Sequence, residues 1–264
     1  MLEALQYDFI QNALFAGVLI SIASGIIGSL VVVNRLTFLT GGIAHSSYGG
    51  IGLAIYLGIP VLFGATVFAI ITAVIIAMLT LKNRNRADSI IGLMWAFGMA
   101  LGIIFVDLTP GYNVDLMSYL FGSIIAVSSG DVLYMSILDI FIISIVMIFY
   151  KQILAVSYDN EFASLRGINT KFFYTLILIL ASLCVVAAIK AVGLILVIAL
   201  LTIPTYLAES FASRLSSMMI ISSALATLFT IIGLGISYYY DISSGASIII
   251  SAVVILTVVK LIRK

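Results

Sequence analysis

The sequence predicts an all-α fold that crosses a membrane many times, on three observations. The first is composition: of 264 residues 63% are hydrophobic and 9% are charged, with a mean hydropathy of +1.31. Soluble domains carry roughly 25% charged residues, so this chain cannot cover its own surface in water. The second is run length, because many apolar stretches approach the roughly 20 residues that a spanning helix needs. The third is that these runs are continuous and lack the period-two alternation of an outer-membrane barrel.

Taken in order, the runs are 10–33, 36–58, 60–81, 90–106, 132–150, 172–189, 191–209, 218–240 and 246–262. Charged or turn-forming residues separate them. Met1 to Asp8 carries Glu3 and Asp8 but no Lys or Arg, the wrong charge for a cleavable signal, so the first run is expected to be retained. Pro110 and Gly111 make a turn before 116–127, an apolar piece too short to cross, which reads as a re-entrant element; irregular backbone at membrane depth is tolerated only beside protein or water. Lys190 leaves almost no loop between 172–189 and 191–209. Pro204 predicts a kink or break within 191–209. The expectation is eight to ten crossing helices in one transmembrane domain over 1–264, with the re-entrant element among them.

Cytoplasmic loops retain Lys and Arg. If nine segments cross and 116–127 returns, Arg35, Lys82, Arg84, Arg86, Lys151, Arg166, Lys171, Arg214, Arg263 and Lys264 share one side. Only Lys190 falls opposite, with Glu3, Asp8, Asp107, Asp115, Asp131 and Asp241. That places the N-terminus outside and the C-terminus in the cytoplasm.

Several functions are excluded or disfavoured. A net charge of +1 without a basic block argues against nucleic acid as a partner. The lone Cys184 forms no intrachain disulfide or cysteine metal cluster. No GxxxxGK[ST] phosphate loop, HExxH or GxSG motif is present, so the chain has no ATPase motif of its own and no nucleophile setting.

The stretch GGIAHSSYGGIGLA at 41–54 holds the only histidine, His45, inside an apolar run. Ionisable groups at membrane depth are costly and usually face a bundle interior or a water-filled path, and neutral imidazole ligates zinc, copper, iron and nickel. Gly41, Gly42, Gly49, Gly50 and Gly52 remove bulk around it, permitting close packing, backbone exposure to an ion, or a break in the helix. A packed helix with one hydrogen-bonded histidine is the plainer alternative. Asp139, mid-way along 132–150, reads as a path, metal or proton carboxylate, or as a hydrogen bond to a neighbouring helix. Glu209 reads as an interfacial charge, Met94 and Trp95 as packing, and the Gly98–Gly102 pair as a packing motif.

The charged connection 151–171 contains SYDNEFASLRGI at 157–168, with Phe162, Leu165 and Ile168 at roughly helical spacing between Asp159, Glu161 and Arg166. A short helix docking into a partner's groove and a solvated loop both fit this pattern.

GGIAHSSYGGIGLA, ADSIIGLMWAFGMALGI at 87–103, LTPGYNVDLMSYLFGS at 108–123, SYDNEFASLRGI and VGLILVIALLTIP at 192–204 together resemble successive blocks of the zinc and manganese ABC importer permeases. The resemblance runs from about Arg35 to the C-terminus. It implies a plasma-membrane subunit that dimerises, receives a divalent metal (zinc, manganese or iron) from an extracytoplasmic binding protein, and works with two cytoplasmic ATPase subunits that bind ATP, with no permanent cofactor. It also implies that Asp159, Glu161, Phe162, Ala163, Leu165, Arg166 and Gly167 lie on the coupling helix that the ATPase grips. Much of the family has an Asp four residues before the histidine, and here that position is Gly41. His45 would then share the ion with water, backbone carbonyls or a carboxylate such as Asp139. Two rivals remain: a permease for a metal chelate such as a siderophore or corrinoid, and an intramembrane enzyme using His45 with Ser46 or Ser47.

Overall fold

The computed structural model describes residues 7–82, 87–110, 122 and 124–262. Its helices are α1 (Asp8–Val33), α2 (Thr37–Ser46), α3 (Tyr48–Leu57), α4 (Val61–Lys82), α5 (Ala87–Asp107), α6 (Ser129–Ile148), α7 (Tyr150–Tyr158), α8 (Asn160–Leu165), α9 (Thr170–Glu209), α10 (Leu215–Tyr240) and α11 (Ser244–Ile262), with a 3-10 turn at Ile124–Ala126. Among the described residues there is no strand, and eight helical segments are long and apolar enough to cross a membrane. The chain is therefore a polytopic all-α membrane protein. Most of the proposed re-entrant segment 116–127 lies outside the described residues.

The single run expected over 36–58 is instead two ten-residue helices, α2 and α3, meeting at Ser47. Two adjacent serines supply the local cause. Ser46 Oγ donates to the Ile43 carbonyl at 3.0 Å and Ser47 Oγ to the Ala44 carbonyl at 2.6 Å, and such back-bonding competes with the helical ladder. Ser47 keeps right-handed angles, φ −60° and ψ −17°, and Thr37–Leu57 still covers about 30 Å at about 1.5 Å per residue.

The second difference is in α9. Both expected spans are present, Thr170–Ile189 and Ala191–Glu209, but the non-helical angles fall at Gly193 (φ 74°, ψ 168°) and Pro204 lies inside the helix. The reason is steric: Gly193 reaches a backbone region that side chains rarely adopt. Gly122, also at positive φ, approaches so closely that a Cβ on it would overlap the Gly193 amide nitrogen.

Helix ends follow local chemistry. Ser128 and Asp131 form a capping box at the start of α6: Ser128 N donates to Asp131 Oδ2 at 2.9 Å and Asp131 N to Ser128 Oγ at 3.3 Å. α3 ends on left-handed Gly58, where Ile59 N reaches the Ala54 carbonyl at 3.0 Å and Gly58 N the Ile55 carbonyl at 3.2 Å.

The chain divides into two compact units, one from Met1–Val32, Met117–Ser144 and Ala187–Lys264, the other from Val33–Leu116 and Ile145–Val186. In the first, α1 packs on α10 through small residues. Ser21 Oγ and Thr230 Oγ1 lie 3.0 Å apart, Ser223 Oγ donates to the Ile22 carbonyl at 3.1 Å, and a Cβ on Gly25 would overlap Ser223 backbone. Phe229, Leu207 and Ala252 form a buried cluster there. In the second, α3 packs between α4 and α5 by the same device: a Cβ on Gly50 would lie 2.5 Å from the Gly64 carbonyl oxygen, and one on Gly52 would overlap that of Gly102. Lipid tails are as apolar as Leu, so such close van der Waals contact is a principal attraction between helices.

Two glycines of this second unit are expected to respond oppositely. Gly52→Ala is expected to destabilise the chain by about 1–3 kcal/mol through forced helix separation. Gly92, where an added Cβ would meet nothing within 4 Å, is expected to gain about 0.5–1 kcal/mol as Ala. Thermal unfolding of the detergent-purified variants checks both.

Candidate functional site

His45 lies on the last turn of α2, one residue before the helix ends at Ser46. It is half-buried, and its Nδ1 is buried with no hydrogen-bond partner. An unmet buried polar atom costs about 1–3 kcal/mol, so a free imidazole nitrogen here is held against its own desolvation by the surrounding packing. The hydrogen-bonded histidine of the plainer alternative is absent at that atom.

The ring stacks on Trp95 of α5, with centroids 3.9 Å apart and planes inclined by 8°. Phe38, two turns earlier on α2, also meets the indole, at 6.5 Å. Around this pair the glycines act as spacers. A Cβ on Gly42 would overlap Ile91 Cγ2, and one on Gly49 would lie 2.8 Å from Phe68 Cζ and 2.9 Å from the Gly98 carbonyl oxygen. One on Gly98 would lie 2.5 Å from Ser46 Cα, and one on Gly102 would lie 2.5 Å from the Tyr48 carbonyl oxygen. Gly41 is buried and presents no side chain one turn before the histidine.

Ser46 and Ser47 spend their hydroxyl protons on backbone carbonyls, which accounts for both without a nucleophilic role. Among the described residues no group of three or more His, Cys, Asp and Glu side chains could hold a metal ion. Among the described residues, then, His45 has no ready-made set of side-chain ligands around it.

Asp139 lies on α6, in the unit that does not contain His45. It is 3% exposed, and Oδ2 is buried without a partner, so the hydrogen bond to a neighbouring helix is not made at that oxygen.

The charged connection is helical. α7 is followed by Asp159, whose Oδ1 accepts from Phe162 N at 2.9 Å and so caps α8. Gly167, at φ 76°, ends α8 with Ile168 N on the Ala163 carbonyl at 3.0 Å and Gly167 N on that of Ser164 at 2.9 Å. Ala163 faces inward and is buried, whereas Leu165 is 88% exposed and Phe162 and Glu161 are exposed. The Arg166 guanidinium lies over the Phe162 ring at 5.0 Å. α8 is thus a rigid, capped turn with an apolar tip.

Sequence reasoning grouped the glycines with His45; the structure places Gly42 and Gly49 in close contacts with α5 on either side of the His45–Trp95 stack, and Gly50 and Gly52 in contacts with α4 and α5 further along. That reasoning missed Trp95 as the partner of His45. Only the Gly98–Gly102 repeat on α5 signalled which face of that helix approaches another closely, and Trp95 lies one turn before Gly98 on that face.

A helical chain that crosses the membrane repeatedly, with a buried imidazole nitrogen lacking a hydrogen bond in a glycine-packed segment, has the features of a membrane transport protein. The model of the ABC 3 transport family matches residues 6–263, and the chain belongs to that family. It is 42% identical over 252 residues to an uncharacterized membrane protein of Synechocystis sp., covering 96% of this chain and 90% of that one. It is 34% identical over 251 residues to the manganese transport system membrane protein MntC of Listeria monocytogenes, covering 95% and 89%. Among solved structures it is similar to PsaBC from Streptococcus pneumoniae in complex with Fab, with a TM-score of 0.88, 30% identity, and 97% and 93% of the two chains covered.

Replacing the unpartnered Asp139 with Leu removes a buried polar group without orphaning another. Asp139→Leu is therefore expected to unfold at a temperature equal to or above that of the native chain, which differential scanning fluorimetry in detergent measures.

Proposed function

We propose that this chain is the permease subunit of an ATP-driven importer for a divalent metal ion, with His45 as a ligand during transit. The observation that carries the reading is the half-buried imidazole with an unpartnered Nδ1, two residues before the junction of α2 and α3 at Ser47. The likeness to a manganese transport protein makes manganese the first cargo to test, ahead of zinc and iron. One imidazole with weak supplementary donors suits a transit site, which must bind well enough to admit an ion and loosely enough to release it.

In this reading the chain works as a homodimer in the plasma membrane, N-terminus outside and C-terminus cytoplasmic. A binding protein delivers metal on the acidic side, and cytoplasmic ATPase subunits bind and hydrolyse ATP. Asp159, Glu161, Phe162, Ala163, Leu165, Arg166 and Gly167 form the coupling element. Its support is physical: the Asp159 cap and the Gly167 terminus make α8 stiff, while exposed Phe162 and Leu165 offer an apolar tip to a groove. A push on that tip passes into α9 through the short connection at 166–169, so nucleotide-driven motion becomes alternating access. The chain performs no bond chemistry; it supplies the path and the lever.

Purified with its ATPase and reconstituted into liposomes with a metal-loaded binding protein, the native chain is expected to show ATP-dependent manganese uptake. His45→Ala is expected to lose that uptake while ATPase subunits still assemble; retained uptake overturns the ligand role. Leu165→Asp is expected to uncouple uptake from ATP hydrolysis, and unchanged coupling overturns the role of α8. Imidazole ligates only when neutral, so uptake that depends on His45 falls as pH drops through the ring's pKa, whereas a pH-independent rate points away from it.

A further inference from the structure

We infer that Trp95 is the positioning residue for the His45 ring, an inference that rests on His45 being the transit ligand. Each imidazole nitrogen holds its lone pair in the ring plane, so whatever fixes that plane fixes the directions along which the ring can ligate a cation. The indole covers one face of the ring at 3.9 Å and 8° and leaves the edge, with both nitrogens, uncovered by the stack. Gly41 offers no side chain one turn away to hold the ring or share the ion.

The indole is itself held. Trp95 Nε1 donates to Met99 Sδ, one turn further along α5, at 3.1 Å, and Phe38 packs against its ring at an inclination of 42°. The backbones beneath are fixed on both sides of the stack. Gly42 abuts Ile91 before it, and Gly49 abuts the Gly98 carbonyl and Gly52 that of Gly102 after it. Positions 42, 45, 49 and 52 thus meet 91, 95, 98 and 102 in order. Three of these rungs involve a glycine, and the fourth is the pair of stacked rings. Moving Trp95 relative to His45 would require prying apart contacts in which a single Cβ does not fit.

The chain contains one tryptophan, so its emission reports this stack alone. In the purified full chain, cobalt(II), an open-shell ion, is expected to quench that emission, and His45→Gln to lose the quench. By equilibrium dialysis against manganese and cobalt, Trp95→Leu is expected to weaken binding about tenfold, the loss typical of removing a group that orients a ligand. Trp95→Phe, which keeps an aromatic face, is expected to recover most of it. A Trp95→Leu chain with native affinity, beside a His45→Ala chain that has lost uptake, overturns the positioning role and leaves the ligand role standing. Native uptake by His45→Ala overturns the ligand role itself. Should Trp95→Leu fail to fold, the native chain decides: emission insensitive to cobalt, in a chain whose uptake requires His45, overturns the inference.

Discussion

The structure around the site depends on how closely backbones can approach when water is not there to drive them together. Between α3 and its neighbours α4 and α5 the contacts are glycine against carbonyl and glycine against glycine. In hydrocarbon a helix gains little by exchanging a lipid tail for a leucine side chain, so association rests on dense van der Waals contact and on polar groups that would otherwise be unmet. Glycine at 49, 50, 52, 64, 98 and 102 is thus the material that makes the second unit cohere. The placement of His45 follows from it, because the distance between α2 and α5 sets where the ring can lie.

The same constraint explains the distribution of hydroxyls. Ser21 meets Thr230, Thr205 meets Ser222 at 2.8 Å, and many other serines and threonines turn back onto carbonyls of their own helix. These groups have partners at no cost in side-chain reach. Against that background His45 Nδ1, Asp139 Oδ2 and Ser24 Oγ are exceptions among the described residues, being buried and unpartnered. Polar groups left unmet in such a place are where function is expected to concentrate.

Much of the architecture was legible because hydropathy in a membrane is a one-dimensional signal: a long apolar run has few alternatives to a helix. The spans of α1, α4, α5, α6, α10 and α11 were read within a few residues on that basis. The interruptions were legible only in part. The glycines around His45 allowed a break within 36–58 but did not place it at Ser47, where α2 and α3 meet with right-handed angles retained. Gly193 leaves helical angles three residues after Lys190, and Pro204, the obvious breaker, stays within its helix. His45 was identifiable as the lone histidine at depth, and the resemblance of its surrounding block pointed to the same residue. Its stack with Trp95 was not, because a contact between two helices fifty residues apart has no periodicity of its own.

The tip of α8 has a consequence for the life of the chain before assembly. Tyr158, Phe162 and Leu165 are exposed together on a connection otherwise rich in charge, and exposed apolar clusters of this kind are what chaperones and proteases engage. If this tip is the coupling surface proposed above, a copy lacking its partner leaves it open to such engagement, and its abundance in the cell would follow the supply of the subunit that covers Leu165.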